Sequence, residues 1–295
     1  MEYVFHLLIL IGIYIILSVS LNMVVGYTGL LSMAHAAFYG IGAYVAAIMA
    51  IKLNCAFGVT VLCSIIFSMF FGILIGVSTL RIKGDYFVIA TFAFQVITFS
   101  ILNNWVGFTG GPDGIPGIPQ PVILGWRVTS SIGFLLIVGG ICAIIIWGGH
   151  RIGNSPFGRV LKAIREDEIF TQSKGKSVET FKILIFTLGA GIAALAGSLY
   201  AYYVSYINPT SFTVMESIFI ICIVIIGGAG STWGPVIGAL VLVTLPEILR
   251  FVGLPNSIAA NLRQILYGGL LVTFMIWRPR GFLGKYAFQN REARK

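Results

Sequence analysis

The chain has 295 residues, of which 58% are hydrophobic and 10% charged, with a formal net charge of +9 and a mean hydropathy of +0.97. A water-soluble domain carries about 25% charged residues, so this composition excludes a soluble enzyme or a soluble nucleic-acid binder and requires an integral membrane protein. The apolar runs suit helices of about 20 residues and lack the alternation of an outer-membrane barrel. The expectation is an all-α integral membrane protein: one transmembrane domain over residues 1–295, a polytopic bundle of about 8–10 transmembrane helices.

In chain order, spans are expected over residues 4–25, 33–51, 57–80 and 86–102, then 130–147, 183–204, 214–226, 233–249 and 262–277. The first carries no small-residue cleavage site and reads as retained. The second has a small-residue face, Ala36, Gly40 and Ala43, that lets another helix approach closely. The run 214–226 is too short to cross about 30 Å of hydrocarbon unless its flanks contribute. Between the fourth and fifth spans, residues 103–129 hold Thr109-Gly110-Gly111-Pro112-Asp113-Gly114 and three further prolines, an ordered turn cluster.

The long polar interval is 150–182, inside a loop taken as 148–182, with seven basic and four acidic residues. Ser155 before Pro156 reads as an N-cap with proline at the first helical position, and Phe157, Val160, Leu161 and Ile164 recur at helical spacing. The helix is expected to run from Pro156 to about Thr171, closing near Gly175. A helix built only for anionic lipid has no use for three consecutive acids after Arg165, which favours docking on a cytoplasmic partner. Phe157, Val160 and Ile164 are the expected outward anchors, and Arg159, Lys162, Arg165 and Glu166 the orienting charges.

Placing that interval in the cytoplasm puts the turn with Arg81 and Lys83 and the basic tail 278–295 on the same side, together fifteen of the 19 lysines and arginines. The net charge is therefore a topology signal. The loop 103–129 then faces outward, as does the N-terminus.

No phosphate loop is present: Gly175-Lys176-Ser177 has Phe170 where the first glycine is needed, and Gly153 to Gly158 is followed by Arg159-Val160. His6, His35 and His150 have no metal-ligand spacing, the four cysteines form no C-x-x-C pair, and no serine sits in a nucleophile elbow. The residues therefore point to neither metal, cofactor nor catalytic group. Glu216, Glu247 and His35 read as helix-end groups reaching the interface.

Two glycine-broken points, Gly26-x-x-Gly29 and Gly227-x-x-Gly230, lie in opposite halves of the chain. An opened backbone is tolerated at membrane depth only where it lines a cavity or packs on protein. With Asn22, Ser32, His35 and Gln95 these glycines are the candidate translocation path, and packing glycine is the competing reading.

The runs Gly26-Tyr27-Thr28-Gly29-Leu30-Leu31-Ser32, Gly40-x-Gly42-Ala43-Tyr44, Gly84-Asp85-Tyr86-Phe87, Thr109 to Ile115, Gly158-Arg159 to Ala163-Ile164-Arg165-Glu166-Asp167-Glu168, Ala196-Gly197, and Gly227-Gly228-Ala229-Gly230-Ser231 to Gly234-Pro235 resemble the LivM-type permease of branched-chain amino acid ABC importers. The resemblance covers nearly the whole chain in order. It implies a multi-pass protein of a bacterial or archaeal plasma membrane, paired with a LivH-type permease, two cytoplasmic ATP-binding subunits and an extracytoplasmic substrate-binding protein, with ATP used by the partners. It also implies that the polar loop sits in a cleft on the ATPase, with Gly175 as the downstream glycine; Thr171-Gln172 stands where alanines are usual. The outer motif Gly110, Gly111, Pro112, Asp113 and Gly114 becomes the expected landing place for the binding protein. A permease for urea or short amides shares much of the pattern, and an ion-coupled secondary carrier or a non-transporting scaffold is the alternative class.

Overall fold

The computed structural model describes residues 2–80, 85–123, 126–250, 268–274, 276–278 and 281–284. Its helices are α1 (Glu2–Thr28), α2 (His35–Lys52), α3 (Phe57–Thr79), α4 (Asp85–Asn104), α5 (Val106–Thr109), α6 (Ser131–Asn154), α7 (Pro156–Glu166), α8 (Glu168–Ser173), α9 (Val178–Val204), α10 (Val214–Gly227) and α11 (Gly234–Arg250). Four two-residue strands, β1 (Ile115–Pro116), β2 (Val122–Ile123), β3 (Trp126–Arg127) and β4 (Tyr206–Ile207), form two antiparallel ladders, β1 with β4 and β2 with β3. Among the described residues, six helices (α1, α2, α3, α4, α6 and α9) are long and apolar enough to cross a membrane, and α10 and α11 are shorter apolar helices. Residues 268–274 and 276–277 are helical, within the expected ninth span. The rest of that span, the Arg81 to Lys83 turn and most of the basic tail lie outside the described residues.

The membrane assignment is written into α3. Thr60, Ser64, Ser68, Gly72 and Gly76 recur every four residues and, with Thr79 at the end, are its buried positions. Leu62, Ile66 and Phe70 on the opposite side are 57–59% exposed. Small and polar residues face the protein while large apolar ones face out, the reverse of a soluble amphipathic helix. The inward stripe lies on α9, where Ser68 donates to the Ala190 carbonyl at 2.9 Å and Thr60 shares a 2.7 Å hydrogen bond with the Tyr202 hydroxyl.

Helices α2 and α9 form the interior: 72% and 67% of their apolar windows are buried, against 22% for α3 and α6. Their axes cross without intervening side chains. A Cβ at Gly42 would collide with the Ala194 backbone, and one at Gly197 with the Tyr39 carbonyl. Alanines on both helices fill what space remains, the close approach on which membrane helices depend when lipid is as apolar as their own surfaces.

Two helices begin inside the bundle. Helix α2 starts at His35, where Nε2 lies 2.6 Å from the Ser20 hydroxyl in the middle of α1, and ends at Lys52, whose ammonium sits 5.0 Å from the Phe108 ring beside the loop 103–129. Helix α10 starts beside Tyr14 of α1. Between the end of α9 and α10, the chain turns inward through Asn208, whose Oδ1 caps a short 3-10 turn by accepting from Ser211 N at 3.2 Å.

Several element boundaries depart from expectation for identifiable reasons. Helix α1 continues through Gly26 to Thr28, so Gly26 is a packing glycine within a helix; the break starts at Gly29, in the left-handed region at φ +76°. Helix α6 runs past Trp147 to Asn154, because two glycines do not stop a helix whose carbonyls find partners. Helix α9 begins at Val178, about one turn before the apolar run. The long polar helix divides at Asp167, which is extended and whose carboxylate accepts from Phe170 N at 2.9 Å as the cap of α8. A local side-chain cap competes with helix continuation at such a residue.

Candidate transport and coupling site

Helix α7 forms as its sequence requires. Ser155 Oγ accepts from Gly158 N at 3.1 Å with Pro156 at the first position, and Gly158 admits no Cβ because Ile152 and Gly153 of α6 lie against it. Its apolar face turns inward. Leu161, 0% exposed, packs with Met23 and Tyr27 of α1 and Ile185 of α9; Ile164 is 3% exposed, and Phe157 stacks on Phe181 at 5.3 Å. Ile164 therefore belongs to the protein's own core, whereas Phe157, Val160 and Ala163 are half-buried. The outward surface consists of Pro156, Arg159 and Glu166, continued on α8 by Ile169 and Phe170 at 76% and 59% exposure. The last two were missed because the expected single helix put them on the wrong register. Recognising Asp167 as a cap would have found them.

Two cations of α7 close the ends of neighbouring helices. The last four carbonyls of a helix lack intrahelical partners and carry the negative end of its dipole. Lys162 Nζ donates to the Gly153 carbonyl near the end of α6 at 2.5 Å and lies 5.6 Å from the Tyr27 ring. Arg165 donates to the Gly26 carbonyl near the end of α1, and its stem lies against Gly29. Lys182 of α9 pairs with Glu168 of α8 at 2.7 Å, holding the second segment down. Gly175, at φ +75°, turns the chain from α8 towards α9.

The two glycine breaks meet. Gly26 packs against Gly230, whose backbone nitrogen a Cβ on Gly26 would strike. Asn22 Oδ1 accepts from Gly230 N at 2.8 Å and its Nδ2 donates to the Ser231 carbonyl at 2.9 Å. Gly227, Gly228 and Gly234 crowd each other's backbones, which lets α11 fold back on α10. One carboxamide thus satisfies both an N–H and a C=O opened by the break, groups that hydrocarbon cannot satisfy.

The other candidate path residues also knit helices together. Gln95 of α4 donates to the Phe212 carbonyl at 2.8 Å and accepts from Ser217 Oγ at 3.3 Å; Ser217 in turn accepts from Ala36 N at 3.0 Å, capping α2 from another helix. Thr91 does the same for Met33 N at 3.1 Å. Ser32 accepts from Ala34 N at 3.3 Å. Ser20 donates to Leu17 O at 2.7 Å, so the 2.6 Å contact with His35 assigns the ring proton to Nε2. Asn22, Ser32, His35 and Gln95 are each at most 2% exposed. Their groups hold the two buried helix starts and the glycine crossing.

At the opposite end, Thr109 Oγ1 donates to Leu102 O at 2.7 Å, Gly110, Gly111 and Gly114 all adopt positive φ, and Tyr206 donates to Asp113 O at 3.0 Å. Gly111 and Gly114 are buried; Pro112 and Asp113 form the exposed tip.

This is the build of a polytopic membrane permease: spans closed by internal polar bonds, two helices starting within the bundle, and a surface amphipathic helix locked to the helix breaks. The chain belongs to the family described as branched-chain amino acid transport system / permease component, whose model matches residues 3–275. It is 34% identical over 294 residues to the high-affinity branched-chain amino acid transport system permease protein LivM of Escherichia coli K12, covering 92% of this chain and 68% of the relative. A second permease of the same name set, LivH of Salmonella typhimurium, is 26% identical over 290 residues, covering 92% of this chain and 91% of the relative. No solved structure matches the chain.

Proposed function

We propose that this chain is the LivM-type half of an ATP-driven importer for leucine, isoleucine, valine or close relatives. It would pair with a LivH-type permease, two cytoplasmic ATP-binding subunits and an extracytoplasmic binding protein. The loop 148–182 and the C-terminus face the cytoplasm, the loop 103–129 faces outward, and residues 1–295 act as one permease domain in a bacterial or archaeal plasma membrane. The observation that carries the reading is the bond from Arg165 to Gly26. A helix with an outward face of Pro156, Arg159, Glu166, Ile169 and Phe170 is tied on its inward side to the crossing of the two glycine breaks. Movement of the outer face by an ATPase therefore loads that crossing, provided the ATPase holds the helix differently in its two states.

The test is reconstitution. In proteoliposomes holding all five kinds of component, labelled leucine should accumulate only with ATP and binding protein. Flux by this chain alone under a proton or sodium gradient would favour a secondary carrier, and ATP-driven uptake of urea in place of leucine would reassign the substrate.

A further inference from the structure

The role of Glu216 is not settled by the coupling geometry. It sits in the first turn of α10, where a carboxylate also complements the helix N-terminus. Its depth is unusual for a helix-end group. His6 of α1 bonds Tyr203 near the end of α9 at 2.7 Å, beside the loop 103–129, whereas Glu216 bonds Tyr14, eight residues further along α1. At about 1.5 Å per residue, that is about 12 Å deeper into the bundle. The expectation that Glu216 reaches the interface is corrected accordingly. Carboxylates at membrane depth are costly and mark substrate or ion routes.

The surroundings suit a cation. Tyr14 Oη donates to Glu216 Oε1 at 2.6 Å, one of about four positions at which a carboxylate accepts. Tyr14 is set edge-on to Phe219 at 5.2 Å, and Tyr39 packs on Tyr200 at 5.6 Å. Glu216, Tyr14 and Tyr200 are each partly exposed as whole residues, and Met215 beside Glu216 is 56% exposed. A carboxylate flanked by aromatic rings binds an ammonium by charge, hydrogen bond and ring quadrupole together.

We infer that Glu216, held by Tyr14, is a binding site for the α-ammonium of a zwitterionic substrate on its way inward from the loop 103–129 side. The inference rests on the import reading above and adds a residue that recognises the amino group. A neutral or purely anionic solute would lack the group that Glu216 recognises.

The experiment uses the assembled transporter, with labelled leucine as probe. Glu216→Gln keeps the shape and the bond from Tyr14 and removes the charge. Leucine uptake should fall at least about tenfold, while ATP hydrolysis stimulated by loaded binding protein stays within about twofold. Tyr14→Phe keeps the charge and removes the brace, and should retain most of the uptake. Wild-type uptake by Glu216→Gln would overturn the inference. So would an equal loss of uptake and stimulated hydrolysis in both variants, which would mark Glu216 as a structural brace for α10. Should Glu216→Gln fail to assemble, Glu216→Asp, which preserves the charge, must transport for the inference to stand. If the wild-type complex itself moves no leucine, the import reading fails first and separately.

Discussion

Asn22 and Gly230 hold each other across the point where the two glycine-rich breaks cross: the side-chain oxygen accepts from the backbone nitrogen at 2.8 Å, within contact of Gly26. Asn22→Leu has similar volume but leaves Gly230 N–H and Ser231 C=O without that partner. An unpaired buried polar group costs about 1–3 kcal/mol, so the variant should melt well below the wild type in detergent. Asn22→Asp retains the acceptor only and should fall between them. Equal melting temperatures for all three would show that the break is satisfied in another way.

The α2–α9 crossing predicts a ranking among glycine-to-alanine changes. Gly197→Ala drives a methyl into the Tyr39 carbonyl, a backbone group that cannot swing away. Overpacking of this kind costs about 1–3 kcal/mol or more. Gly72→Ala meets the Ala190 methyl at 3.0 Å and should cost less; Gly139→Ala meets nothing within 4 Å and should be neutral or slightly stabilising through helix propensity. Thermal stability in the order Gly139, Gly72, Gly197, from most to least tolerant, checks the packing; a stable Gly197→Ala protein contradicts it.

What sequence could reveal here follows from range. Ser155-Pro156, most of the apolar spans and the turn glycines of the loop 103–129 act on neighbours a few residues away, and those readings match the structure. The partners of Asn22, Gln95 and His35 are 15 to 209 residues distant, so a polar residue in a span could be singled out without its purpose. The buried N–H of a helix start elsewhere, which such a residue closes, is invisible in one dimension. Ile164 misled for a related reason. An amphipathic helix shows that it has an apolar face, and only the fold says whether its own protein or another covers that face.

That distinction can be measured. Ile164→Asp puts a charge at a position that is 3% exposed and should impair folding or assembly. Phe170→Asp changes an exposed ring and should leave the protein folded. On the coupling reading, Phe170→Asp should weaken retention of the ATPase subunits in pull-down and lower uptake while the melting temperature holds. If Phe170→Asp binds and transports normally, α8 is not the docking surface.

Arg165 and Asn22 approach Gly26 from opposite sides, one through its carbonyl and the other through its Cα, so they should act as one unit. Arg165→Lys keeps the charge but replaces a rigid planar donor by a shorter ammonium, a change that is not conservative where geometry matters. The expected outcome is a complex that still hydrolyses ATP but responds less to loaded binding protein, because movement of α7 no longer reaches α1. Residues sharing one network typically couple by about 0.5–3 kcal/mol, whereas independent sites add. Arg165→Lys combined with Asn22→Ala should therefore lose less coupled uptake than the two single losses multiplied. Strict multiplication would mean that the helix and the glycine crossing act separately, and that the motion enters the spans through Lys162 and α6 instead.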